Sequence, residues 1–286
     1  MKPAPFEYFD PRDLDEALER LQSFGDDAKV LAGGQSLMPL LNLRLARPAA
    51  LVDINRLPDL ATLGTDNGTL RLGALVRQRS LERWASHHHP LLAAALRLVG
   101  HAAIRNRGTV AGNIAHADPA SELPAVLLCL DGTIGVRSRT GSREIAAADF
   151  FQGPLMTALR SDELVTETRW PLPIPRMGWG FHEVARRHGD FALVGAVAVL
   201  TVHGDRIDSA RVALFGVGPS AVRAPAAERA LISQTPSPKL LTQAAAVAAE
   251  GLEPQSDLHA PAAYRRRVAV TLTMRALTDA LARVAP

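Results

Sequence analysis

Three alternating prolines, Pro171, Pro173 and Pro175, set the strongest limit on how this chain can fold. Each lacks a backbone N–H and fixes φ, so the segment stays extended. The chain has 286 residues, which is enough for two hydrophobic cores. We therefore predict two domains, residues 1–175 and residues 176–286, joined at this segment.

Composition and charge exclude several classes of protein. Hydrophobic residues make up 47% of the chain and charged residues 21%, as is typical of soluble globular proteins. The net charge of +3 includes no block of like charges, so nothing indicates nucleic-acid binding. The longest apolar stretch, 191–202, is too short to span a bilayer, and the acidic N-terminus lacks the apolar region of a secretory signal. We expect a cytoplasmic protein with no membrane insertion.

The one cysteine, Cys129, lies in an apolar run and is interpreted as a buried thiol. No internal disulfide can form, which is consistent with a reducing compartment. An iron–sulfur cluster usually needs four thiolates, so this chain cannot hold one by itself.

Two clusters of charged or titratable residues are interpreted as parts of the structure and not as functional sites. The basic run 265–267 is interpreted as one face of a helix. The consecutive histidines 87–89 are interpreted as a loop at a helix end, because their side chains diverge and lack the spacing of metal ligands.

The hydrophobic pattern predicts an α+β protein. Helices are predicted over 13–21, 37–45, 91–99 and from Pro124 to 131, with strands at 29–31, 51–54, 70–74, 133–136 and 163–170. A glycine-bearing loop is predicted at 104–113. In the second domain, strands are predicted at 180–186, 192–202 and 209–217, and helices at 237–250 and 261–283. Strands followed by helices are typical of the α+β class.

The first candidate for chemistry is the turn Ala32–Ser36, which directly follows a strand. Its adjacent glycines allow positive φ and a close approach of the backbone to a ligand. Successive amides in such a turn form an anion-binding nest, and Ser36 adds a hydroxyl. The turn therefore suits a diphosphate, although such turns also occur without any ligand.

The second candidate is the small-residue segment 107–122. It combines close backbone approach with polar groups at Thr109, Asn113, Ser121 and Glu122, and a carboxylate such as Glu122 can accept bonds from ribose or ribityl hydroxyls. A glycine-rich structural loop explains the same pattern equally well. A third candidate, 186–192, places two arginines beside a tight turn, and it also fits a solvated hairpin end.

In combination, these segments resemble the FAD subunit of the xanthine dehydrogenase / carbon monoxide dehydrogenase family. The resemblance covers nearly the whole chain, in order, at 32–48, 52–57, 104–125, 150–164, 186–197 and 256–277. It implies a FAD-binding fold of the vanillyl-alcohol-oxidase (PCMH) type with two subdomains. A three-stranded antiparallel sheet with a helical bundle would follow and partly cover the FAD.

The resemblance also implies which residues bind FAD. Two diphosphate-binding turns, distant in the chain, would fold to the same place. Ala111 stands where the family has a glycine, leaving Gly112 to make the close approach, and His182 stands where relatives often carry lysine. The implied cofactor-binding residues are Leu31, Ala32, Gly33, Gly34, Gln35, Ser36, Leu37, Thr109, Ala111, Gly112, Asn113, Asp118, Ser121, Glu122, Leu164 and His182.

The function implied by the resemblance is electron transfer within a molybdenum hydroxylase. A molybdopterin-binding large subunit would hydroxylate the substrate, and two 2Fe–2S clusters in a small subunit would pass electrons to FAD in this chain. The terminal acceptor would be NAD⁺, O₂ or a quinone. The chain would thus be an oxidoreductase subunit, incomplete alone, in a dimer of heterotrimers.

Two other functions remain open at the level of sequence. A self-contained flavin oxidase would need an acid–base set, and the second domain shows no obvious one. A non-catalytic nucleotide-binding or scaffold subunit would use the same turns without redox chemistry.

Overall fold

The computed structural model describes residues 2–284, and three sheets organise the fold. The first sheet contains three parallel strands, in the order β1 (Glu7–Phe9), β3 (Ala50–Asp53) and β2 (Ala28–Leu31). Helices α1 (Leu14–Phe24) and α2 (Leu37–Asn42) follow β1 and β2 in the chain. Asp13 caps α1 by accepting a hydrogen bond from the Glu16 amide at 2.8 Å.

The second sheet is antiparallel and has five strands. In spatial order they are β4 (Leu63–Asp66), β5 (Thr69–Gly73), β10 (Leu164–Pro171), β6 (Thr133–Ser138) and β7 (Gly141–Ala146). Between β5 and β10 the chain also forms α3 (Gln78–His88), α4 (Pro90–Leu98), α5 (Ala102–Arg107), α6 (Val110–His116), α7 (Glu122–Cys129), α8 (Ala147–Phe150) and the hairpin of β8 (Phe151–Gly153) and β9 (Met156–Thr157).

The third sheet follows the proline segment and is also antiparallel. Its strands are β11 (Met177–Ala185), β12 (Ala192–His203), β13 (Arg206–Phe215) and the two-residue β14 (Val222–Arg223), in that order. The helices after it are α9 (Pro225–Leu231), α10 (Pro238–Ala248) and α11 (Ala262–Ala282). This architecture confirms the predicted α+β class, with one short strand beyond the three expected.

Strand β12 is buried on both faces. Val197 and Val199 pack into the larger core, which also contains helices α4 and α7 of the N-terminal part. Ala198 and Leu200 belong to a second core with α9, α10 and α11. Because alternate residues of a strand point to opposite faces, one strand contributes to both cores.

Helix α11 lies directly on β11 at Gly178 and Gly180. A Cβ on either glycine would overlap a carbonyl of α11, that of Ala280 or Ala276. The missing side chains allow the helix backbone to approach the sheet this closely.

Three local predictions are wrong. The predicted loop at 104–113 mostly forms α5 and α6. The short α5 is held by Arg105, whose guanidinium donates to Glu82 at 2.9 Å and to the Val99 carbonyl at 3.0 Å. Tertiary contacts therefore stabilise a helix that local sequence does not favour.

The histidine and arginine clusters also depart from prediction. His87 and His88 end α3, whereas His89 is fully buried and its Nδ1 accepts a bond from the Leu92 amide at 3.4 Å. Burial lowers the pKa of His89 to about 4, so the ring is neutral in this position. In the run 265–267, Arg265 is buried and donates to the Leu193 carbonyl and to Asp257, while its two neighbours are exposed.

Among residues 2–284, no helix has both the length and the apolar character that crossing a membrane requires. The same part of the chain contains no cluster of three His, Cys, Asp or Glu side chains arranged to hold a metal ion.

Candidate functional site

The two glycine-bearing turns contact each other at Gly33. A Cβ built on Gly33 would lie 2.7 Å from the Arg107 carbonyl oxygen and 2.7 Å from Gly108 Cα. Both neighbours are backbone atoms that cannot rotate away. Gly33 is therefore required for contact between the turns, whereas its motif indicated an approach to a ligand.

The first turn gets its shape from Gly34 and Gln35. Gly34 has φ +71°, which L side chains rarely adopt. The Gln35 side chain donates to the Gly33 carbonyl at 3.0 Å. Ser36 precedes α2, and its hydroxyl forms no cap hydrogen bond with the helix.

The second turn ends in a capped helix. Thr109 caps α6, and its hydroxyl accepts a bond from the Gly112 amide at 3.0 Å. A Cβ on Gly112 would lie 2.6 Å from that hydroxyl, so glycine preserves the cap. Ala111 is helical and 2% exposed, and its φ is not positive. The alanine at this position therefore needs no glycine-like backbone.

Both turns line one cavity of about 650 Å³. This size lies within the range of small-molecule and cofactor sites. Of the predicted site residues, the cavity brings together Ala32, Gly33, Gly34, Gln35, Ser36, Leu37, Thr109, Ala111, Gly112, Asn113, Asp118, Ser121, Glu122 and Leu164.

A polar wall of the cavity is formed around the start of α7. Ser121 donates to the Asn113 side chain at 2.9 Å, and Asp118 accepts from the Ala120 amide at 2.8 Å. Glu122 is 5% exposed, and burial, followed by the negative charge of Glu183, raises its pKa to about 8. Glu122 is therefore largely protonated at neutral pH.

Leu31 and His182 do not line this cavity. Leu31 lines a smaller cavity of about 510 Å³, which shares Ala32, Gly33, Gly34 and Gln35 with the larger one. His182 lies on the face of β11 that meets α11, and its Nε2 is 3.2 Å from Asp279. The side chain of the next residue, Glu183, points to the opposite face and interacts electrostatically with Glu122.

Glu183 lies close enough to affect Glu122 without lining the cavity, and sequence reasoning did not single it out. Burial raises its pKa to about 7, and one of its carboxylate oxygens is buried without a hydrogen-bond partner. The role of His182 in binding the cofactor stays a prediction, and its side chain lies on the other face of the strand from Glu183.

Sequence reasoning also missed several other lining residues. Two cations, Lys29 and Arg160, line the cavity, as do the exposed apolar side chains of Leu155, Met156 and Phe191. Phe191 belongs to the third candidate motif, and Lys29 lies in the strand before the first turn. The hairpin of Leu155 and Met156 had no sequence signal that assigned it to the site.

Two family models match the chain. The model for the FAD binding domain in molybdopterin dehydrogenase matches residues 4–173, and that for the CO dehydrogenase flavoprotein C-terminal domain matches residues 179–280. The first match alone covers more than half of the chain.

The chain belongs to the family of FAD-binding subunits of molybdopterin dehydrogenases.

Characterised relatives of this FAD-binding subunit align over its full length. It is 40% identical to the 6-hydroxypseudooxynicotine dehydrogenase complex subunit alpha of Paenarthrobacter nicotinovorans, covering 100% of this chain and 98% of the relative. It is also 40% identical to the caffeine dehydrogenase subunit beta of Pseudomonas sp. (strain CBB1), covering 99% and 97%. A solved carbon monoxide dehydrogenase from Hydrogenophaga pseudoflava superposes with a TM-score of 0.97 at 37% identity, covering 100% of both chains. The protein is thus the FAD-binding subunit of a multi-subunit molybdenum hydroxylase, an oxidoreductase.

The residues of the cavity fit FAD. The two backbone turns suit a diphosphate, and the side chains of Asn113, Ser121 and Glu122 suit hydroxyl groups. Leu159, Leu164 and Val165 provide apolar surface for a ring system. In one elongated molecule, FAD presents each of these chemical groups.

Proposed function

We propose that this chain holds FAD between the iron–sulfur clusters of a partner subunit and a terminal electron acceptor. The contact between the two turns at Gly33 carries this proposal, because it joins two diphosphate-type backbone sites at one cavity. When bound, the flavin supplies chemistry that connects one-electron and two-electron carriers. The protein holds and orients the cofactor and sets the electrostatic environment around it.

Each part of the cavity has a proposed role in binding. The turns Ala32–Ser36 and Thr109–Asn113 hold the diphosphate through backbone amides, with the Ser36 hydroxyl as a further donor. Glu122 bonds hydroxyl groups of the cofactor, and Leu164 packs against the adenine. From the second domain, Asp190 is a polar residue that lines the cavity, and His182 stays a predicted contact of the cofactor.

The proposed assembly contains a molybdopterin-binding large subunit and a small subunit with two 2Fe–2S clusters, arranged as a dimer of heterotrimers in the cytoplasm. The relatives' names support a complex, since they are a complex subunit alpha and a subunit beta. A solved carbon monoxide dehydrogenase is described as lacking the Mo-pyranopterin moiety of its molybdenum cofactor. A related solved structure is quinoline 2-oxidoreductase.

The proposed division into residues 1–175 and 176–286 is supported by the two family models. One ends at residue 173 and the other begins at residue 179, so the proposed boundary falls between them.

The experiment is co-expression with the neighbouring reading frames, followed by purification and absorption spectroscopy. The expected result is a complex with flavin bands beside iron–sulfur bands, in which a substrate that the complex oxidises reduces the flavin and bleaches its absorption. Caffeine, 6-hydroxypseudooxynicotine, quinoline and carbon monoxide form the first substrate panel, because these compounds name the relatives.

The same preparation separates the alternatives. Flavin bleaching by one of these substrates with this chain alone would instead indicate a self-contained oxidase. A chain that stays colourless after incubation with FAD, alone and in the complex, would overturn the cofactor assignment.

A further inference from the structure

A hydrogen-bonded network lies beneath the two turns, on the side away from the larger cavity. Arg77, just before α3, has a backbone that forms an isolated antiparallel bridge with Thr109 of the second turn. Its guanidinium donates to the Arg107 carbonyl at 2.6 Å and to the Asn55 side-chain oxygen at 2.6 Å. Arg77 therefore bonds the second turn on one side and Asn55 on the other.

Asn55 continues this network to the first turn. Its amide nitrogen donates to the Ala32 carbonyl at 2.8 Å and to Asp53 at 2.6 Å. Asp53 in turn accepts from the Tyr8 hydroxyl at 2.7 Å. A continuous path of hydrogen bonds thus joins the carbonyl of Ala32 to the carbonyl of Arg107 through two side chains.

The bond to Ala32 fixes the direction of the next peptide group. In a trans peptide the carbonyl and the following N–H point in opposite directions. Asn55 lines the smaller cavity and bonds the Ala32 carbonyl, so the Gly33 N–H points away from the Asn55 side chain. Asn55 therefore fixes the orientation of the Gly33 N–H within the first turn.

The network also controls the separation of the turns. Gly33 already lies against the Arg107–Thr109 backbone, so a small displacement of either turn changes both sets of amides. The guanidinium of Arg77 holds the Arg107 carbonyl at that contact. Its positive charge beside the turns also favours an anionic ligand.

We propose that Arg77 and Asn55 are positioning residues for FAD, which lock the two turns together and orient the Gly33 amide without contacting the cofactor. Neither side chain lines the larger cavity. This proposal rests on FAD binding in that cavity.

The test compares FAD dissociation constants of the full chain, with whatever subunits accompany it, after removal of flavin. Arg77→Met should weaken FAD binding about tenfold, which is the factor expected from one charge-assisted hydrogen bond. Arg77→Lys should recover part of this loss, because lysine retains the charge and can make one of the two bonds. The matched control is Arg71→Met, because Arg71 pairs with Glu167 on the second sheet and does not line the cavity.

Asn55→Ala provides a second variant that keeps Arg77 in place, in case Arg77→Met does not fold. The double variant should bind FAD no more than about twofold weaker than the weaker single variant, because both substitutions interrupt the same path. Such non-additivity would not follow from two independent losses of stability.

Two results would overturn the proposal: FAD affinity of Arg77→Met and Asn55→Ala within twofold of wild type, or effects that multiply in the double variant. If wild type and Arg71→Met also bind no FAD, the cofactor assignment itself fails, and this proposal fails with it.

Discussion

Replacing Glu122 with glutamine should stabilise the flavin-free chain and weaken its hold on FAD. The carboxyl group is buried in the cavity wall, and burial together with Glu183 raises its pKa from 4.5 to about 8. A glutamine keeps the shape and has no charge to bury. The substitution therefore removes an electrostatic cost from the empty cavity and also removes the carboxyl that we propose bonds the cofactor.

The raised pKa of Glu122 determines whether the stability of the flavin-free chain rises or falls with pH. In the unfolded chain the carboxyl ionises near pH 4.5, whereas in the folded chain it keeps its proton to about pH 8. The contribution of Glu122 to the free energy of unfolding is therefore largest below pH 4.5, and it falls as pH rises toward 8. The slope approaches about 1.4 kcal/mol per pH unit, and the upper limit for the whole window is roughly 5 kcal/mol.

The assay is urea unfolding of the flavin-free full chain at several pH values between 5 and 8. The Glu122→Gln variant should lose most of this slope and exceed wild type in stability at pH 8. FAD titration should show binding weakened by roughly 0.5–1.5 kcal/mol, the typical contribution of a hydrogen bond between neutral groups.

Glu163→Gln is the matched control, because this substitution should change stability in the opposite direction. Glu163 is also buried, but Arg143 donates to it at 2.7 and 2.8 Å and lowers its pKa. That carboxylate stabilises the fold above its ordinary pKa, so its replacement should destabilise the chain at neutral pH. An unchanged pH slope in Glu122→Gln, or a stability loss as in the control, would refute the reasoning.

Three further predictions concern single positions. Gly33→Ala should cost about 1–3 kcal/mol of stability and weaken FAD binding, because the added Cβ would lie 2.7 Å from the second turn. The control is Gly64→Ala, because the space around its added Cβ is open. This control should match wild type in thermal melting and in FAD titration. Glu183→Gln should lower the pKa of Glu122, and an unchanged pKa in the pH–stability profile would show that the two carboxyls are independent. Cys129 should resist iodoacetamide in the native chain, because burial raises its pKa to about 12; mass spectrometry showing rapid alkylation would contradict this.

The sequence predicts the first turn well because neighbouring residues encode it, whereas it predicts a loop where the second turn continues into α6. Gly33 and Gly34 follow a strand, and Thr109 precedes Gly112 at the spacing of a helix cap. Such local patterns identify a turn without knowledge of its surroundings.

Features that depend on tertiary contacts were less accessible from sequence. The face on which each side chain of β11 lies depends on its pairing with β12, and a shift of one residue exchanges the faces. Arg77 and Asn55 come from separate segments that meet only in the folded chain. No local pattern marks them as parts of the site.

Because β12 contributes side chains to both cores, the proline segment is a boundary in sequence but not in cooperative folding. Cutting the chain there would expose Val197 and Val199 in one fragment and the surfaces of α4 and α7 in the other. The two parts should therefore melt in a single calorimetric transition, and neither half should be obtainable as a separate folded fragment.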